Sequence, residues 1–132
     1  MSYCLIIYPL NDRGKLGDSL IRCKEKFVFE GEDYRILGQI GEPNGKPFIP
    51  DIKVKPVVST YKLMPNVFCE LHDYVDPPRK TRKNPWGGEL VYTFSEEMGK
   101  IKLPDNVAPK NRAILAYLRE LEPDTPIILE WR

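Results

Sequence analysis

Histidine is all but missing from this chain, with His72 standing alone, and cysteine is limited to Cys4, Cys23 and Cys69. So few soft ligands leave little material for a structural zinc site, which takes four. Cys69 and His72 are three apart, so on an extended strand they point to opposite faces. Cys4 and Cys23 stand nineteen residues apart and make no second close pair. Neither a metal nor a cofactor is therefore expected, and Cys69 reads as a core residue beside Leu71. An odd number of cysteines without paired spacing argues against a disulfide framework and for reduced, buried thiols. An excess of charge is missing too, since 20 basic residues face 19 acidic ones for a formal net charge of +1. No global field would draw in nucleic acid or an anionic membrane, so any electrostatic preference has to be local.

Long apolar runs are absent as well. The one within residues 1–10 is too short to cross a bilayer, no basic region precedes it, and no small-residue cleavage site follows. It is read as a first strand, no membrane association is expected, and the location is taken as cytoplasmic. Neither G-x-x-x-x-G-K-[ST] nor G-x-S-x-G nor a dinucleotide fingerprint occurs, and Gly14 and Gly17 read as a plain surface turn. There is no internal repeat and no low-complexity segment.

What remains is ordinary globular material: 132 residues, 42% hydrophobic and 30% charged. That length makes residues 1–132 a single domain able to bury about two thirds of its unfolded surface. Residues 106–121 carry the clearest periodicity. Asn106 is placed as the cap and Pro109 in the first turn, with Ala113, Ile114, Tyr117, Leu118 and Leu121 on one stripe. Pro123 ends that helix, and residues 125–131 read as an apolar strand.

Upstream, strands are predicted over 3–8, 26–29, 34–40, 48–52, 57–63, 67–74 and 89–94, with a further short one over 100–103. The polar tetrad around Gly31 is taken as a hairpin turn, and Asn44-Gly45 as another. Residues 18–25 fit helix and strand equally. Pro47, Pro50 and Pro56 lack a ladder donor, which makes that region either a sheet edge, open to strand addition, or a stretch interrupted by bulges. The expected fold class is α+β: a mainly antiparallel sheet of seven to nine short strands, in one form a curved half-barrel. One C-terminal helix packs it, and the chain ends in a strand.

Chemistry is sparse. His72 could act as a general acid or base, with Glu70 two residues back on the same strand face and Asp73 on the other. The stretch unlike scaffold is 76–88, expected to be a loop without regular structure. Arg79, Lys80, Arg82 and Lys83 put four positive charges within five residues, three prolines stiffen the segment, and Trp86 adds a large amphipathic ring. Arginine and tryptophan dominate protein–protein hot spots, and a stiff loop loses little entropy on docking. The expectation is a non-catalytic binding protein of inhibitor, immunity or adaptor type that engages a protein partner through Arg79, Lys80, Arg82, Lys83 and Trp86. The alternative is a nucleic-acid-binding protein, with RNA cleavage around His72, Glu70 and a lysine, using the basic loop 79–86. Nucleic-acid binders generally extend a basic face beyond one loop, whereas here acids are spread along the chain.

Overall fold

The last strand, β8 (Pro126–Trp131), lies at the centre of the molecule, and every one of its six residues is buried. In the computed structural model, which describes residues 4–10, 16–49, 53–72 and 78–132, β8 is flanked by β1 (Leu5–Pro9) and β7 (Val91–Phe94). The two-residue strands β3 (Phe27–Val28) and β4 (Tyr61–Lys62) close the sheet in the order β3-β1-β8-β7-β4, antiparallel throughout. A second sheet holds β2 (Leu20–Cys23), β5 (Phe68–Leu71) and β6 (Arg79–Thr81), with β2 parallel to β5 and β6 antiparallel to it. The fold class is α+β, as expected, with eight strands among the described residues. The strands form two sheets, however, rather than one curved half-barrel.

Three layers result. Alternation sends Leu5, Ile7, Ile127, Leu129 and Trp131 to one face of the five-stranded sheet, where they meet the helices. Ile6, Tyr8 and Ile128 go to the other face and meet Ile21, Cys23, Cys69 and Leu71 of the small sheet. A strand covered on both sides has no solvated face, which explains why β1 and β8 read as unbroken apolar runs.

The helical layer contains more than the expected single helix. α3 (Pro109–Glu120) has Pro at its first turn, but Ala108 is its cap residue, and Asn106 sits earlier in a left-handed turn at φ 60°. Its buried face is Asn111, Ile114, Leu115 and Leu118; Ala113, expected there, is exposed. Asn111 bonds both backbone groups of Glu30, accepting from its N–H at 2.6 Å and donating to its carbonyl at 3.0 Å.

Residues expected as strand 34–40 form the one-turn helix α1 (Tyr34–Leu37) instead. Asp33 caps it by accepting from the Arg35 N–H at 3.1 Å, and Ile36, Leu37 and Ile40 enter the core together. Ser95–Met98 forms another single turn, α2. Residues 100–103 carry no strand, and the described residues 42–49 and 53–58 of the proline-marked region form isolated bridges, Gly41–Pro47 and Ile40–Val58, and no named strand. The undecided segment 18–25 contains a strand, β2. Predicted features at residues 1–3, 11–15, 50–52 and 73–77 lie outside the described residues, Pro50, Asp73 and Pro77 among them.

Candidate functional site

The basic segment is not the structureless loop that its composition implies. Arg79–Thr81 is strand β6, registered Leu71 to Arg79, Glu70 to Lys80 and Cys69 to Thr81. Pairing continues beyond it through the Leu90 N–H to the Arg82 carbonyl at 2.8 Å and a bridge between Lys83 and Glu89. The segment is thus an ascending strand and a tight turn that returns into β7. Lysine on an edge strand is a common guard against edge-to-edge association, and proline and charge together hid this strand from a propensity reading.

At the turn, the Asn84 side-chain oxygen accepts from the backbone N–H of Trp86 at 3.0 Å and of Gly88 at 2.9 Å. The Asn84 N–H donates to the Gly88 carbonyl at 2.7 Å, and Gly87 takes φ 89°, a conformation that suits glycine. Trp86 stands on this braced turn with 76% of its surface exposed. A groove of about 300 Å³ lies beside the turn, lined among others by Pro43, Asn44, Phe48, Lys62 and Glu89.

The four basic side chains separate. Arg79 points between the sheets, where its Nη2 donates to the Glu130 carboxylate at 2.7 Å. Glu130 is wholly buried and also accepts from the Tyr8 hydroxyl at 2.9 Å and from Arg132 at 3.3 Å. Arg82 is half-buried, its Nη1 donating to the backbone carbonyls of Met64 and Val67. Lys80 points outward with its ammonium 5.4 Å from the centre of the Phe68 ring, and the Arg82 guanidinium lies 5.9 Å from the same ring. Lys83 is exposed next to the turn.

His72 and Glu70 do meet, with His72 Nε2 3.7 Å from Glu70 Oε2, and Arg22 Nε contacts that same oxygen at 3.4 Å. Because Glu70 pairs with Lys80 in register, a histidine, a carboxylate and a lysine share the outer face of the small sheet. Cys69 lies behind it, buried and free, with Cys23 in the same core. Its thiol is held below its ordinary value, chiefly by a hydrogen bond with Cys23 and further by the Arg82 charge, against the opposing effect of burial. Among the described residues no group of three or more His, Cys, Asp or Glu side chains could hold a metal ion, and no helix is long and apolar enough to cross a membrane.

Sequence reading missed three participants. Glu130 is a lone acid in an apolar strand, which is the available signal that it needs a buried cation. Asn84, two residues before Trp86, is a plain Asx-turn signature. Phe68 reads in sequence only as one residue of a strand, with nothing to mark which face it occupies. Compared with known protein families, curated protein sequences and solved structures, the chain matches none.

Proposed function

We propose that the protein is a cytosolic, non-catalytic binding protein that engages a protein partner through the hairpin of residues 79–88. Trp86 is the anchor, and Lys80, Arg82 and Lys83 are the flanking cations. The observation that carries the reading is the exposed indole on a turn braced by Asn84: an apolar ring kept in water by a preformed backbone costs the free protein solvation and returns it on docking. Arg79 has a different part, since its charge is engaged with Glu130, so the contact set is the outward one. Inhibitor, immunity-type and adaptor roles all fit such a surface.

The test is capture of the partner from extract of the protein's own cell, using Trp86→Ala beside the wild type. An anchor tryptophan contributes about 2 kcal/mol or more, a loss of roughly thirtyfold in affinity. Thermal stability should stay within about 0.5 kcal/mol because the ring is largely outside the core. Capture that survives the substitution would make the hairpin bystander surface.

One observation favours a second reading. The proximity of His72, Glu70 and Lys80 on one face is the arrangement that an acid–base RNA cleavage would need. Under that reading, His72→Ala abolishes cleavage of an RNA oligonucleotide and leaves binding intact, and binding falls steeply with salt.

A further inference from the structure

The small sheet has an inner face in the core and an outer face in water. Along the outer face, Leu20 stands opposite Phe68, Arg22 opposite Glu70, and Glu70 opposite Lys80. Phe68 is 37% exposed, and Lys80 and Arg82 both lean over its ring. The central carboxylate, Glu70, is already engaged by Arg22 and approached by His72. Three cations, Arg22, Lys80 and Arg82, therefore lie around Phe68 and Glu70, and the exposed Lys24 shares a groove with Leu20, Arg22 and one acid, Asp18.

We infer that this outer face of the β2-β5-β6 sheet is a docking surface for an acidic segment of a protein partner, with Phe68 taking an apolar side chain of that segment. The inference rests on the protein-partner reading of the hairpin and extends it to a second, adjoining surface of defined charge. Charge complementarity selects an anion, because Arg22, Lys24, Lys80 and Arg82 outnumber the acids Glu70 and Asp18 on this face.

The state of Phe68 selects protein over nucleic acid. A base would have to stack on the ring, and two side-chain cations already lie over it. Arg82 is further held through its Nη1 by the carbonyls of Met64 and Val67, which fixes its guanidinium beside the ring. An acidic peptide needs no stacking: its carboxylates reach Lys80 and Arg22, and an aliphatic or aromatic residue meets the Phe68 edge.

The experiment titrates ¹⁵N-labelled full-length protein with two probes at low salt, followed by amide shifts and fluorescence anisotropy. One is a synthetic peptide rich in Asp and Glu with a central Leu, and the other is a single-stranded RNA oligonucleotide of equal charge. The peptide should move the amides of β2, β5 and β6, and Lys80→Glu with Arg22→Glu should weaken it at least tenfold. The milder Lys80→Gln and Phe68→Ser should each weaken it severalfold while the spectrum of the free protein stays dispersed. Peptide shifts that map elsewhere, affinity indifferent to these substitutions, or RNA that binds this face more tightly than the peptide would each overturn the inference.

Parallel partner capture separates the two proposals. If Trp86→Ala loses capture and the variants outside the hairpin, Arg22→Glu and Phe68→Ser, keep it, the hairpin reading stands and this one falls. If the sheet-face variants lose the peptide and Trp86→Ala keeps capture, this one stands and the hairpin anchor falls.

Discussion

Arg79→Met removes one of the cations that neutralise Glu130 between the two sheets. Taking one partner from a fully buried ion pair costs about 3–5 kcal/mol, mostly because the other charge is stranded. Here the penalty is smaller. Arg79 has a third of its side chain in solvent, and Arg132 stays 3.3 Å from the carboxylate, although Glu130 itself has no exposure. Discounting for that screening gives about 2 kcal/mol. At about 4 °C per kcal/mol for a chain of this size, the midpoint should fall by roughly 8 °C.

The companion is Glu130→Gln in the same background. The amide oxygen still accepts from the Tyr8 hydroxyl and no charge is stranded, so the double variant should be more stable than Arg79→Met alone. That non-additivity should amount to about 1 kcal/mol or more. Thermal and urea unfolding followed by circular dichroism measure both. A midpoint for Arg79→Met within about 0.5 kcal/mol of wild type, or a double variant less stable than the single, would refute the account of Arg79 as an internal counter-ion.

Other outcomes follow from local geometry. Asn111→Ala strands the N–H and carbonyl of Glu30 beneath α3, and unfolding should show a loss of about 2 kcal/mol; a loss under about 0.5 kcal/mol would mean the bonds are dispensable. Gly87→Ala forces a side chain into φ 89° with open space around it, so the cost is backbone strain of about 1–2 kcal/mol concentrated in the Trp86 turn, seen as broadened tip amides more than as a shifted midpoint.

For Glu97, burial pushes the carboxyl up, but the Lys100 ammonium at 2.6 Å and the Ser59 N–H at 2.8 Å outweigh it and hold the group below its ordinary value. A lowered folded value contributes stability that is present above the ordinary carboxylate range and lost as pH falls through the lowered one. Glu97→Gln should therefore lower the neutral-pH midpoint modestly, by under about 1 kcal/mol at this partly exposed site, and the gap from wild type should close in acid. A gap equal at neutral and acid pH would contradict the assignment.

Much of the five-stranded sheet was legible because its signals are long and doubled. β1 and β8 are unbroken apolar runs, and a run of that kind has few solutions other than a strand buried on both faces. α3 was legible from Pro109 and the 3.6-residue stripe, although Asn111 and Leu115, not Ala113, complete its buried face. The failures share a cause: short elements whose identity depends on one capping or pairing residue. Tyr34–Leu37 contains β-favouring types, but Asp33 supplies a cap, and three core positions at helical spacing decide for the turn of helix. β2 and β5 pair in parallel across more than forty intervening residues, and no local pattern announces such a contact.

The basic run shows why a charge count cannot stand in for a surface. Read as a loop, Arg79, Lys80, Arg82 and Lys83 form one patch with one role. Read as a strand, period two divides them: Arg79 goes inward to neutralise Glu130, Lys80 goes outward, and Arg82 bends back onto the carbonyls that precede β5. The same backbone alternation that removes Arg79 from the outer surface brings Phe68, Glu70 and His72 onto it, none of which shares the run in sequence. The outer face therefore gathers residues from three strands and the adjoining turn. The run marks where that surface passes, and the register of β5 against β6 determines what the surface contains.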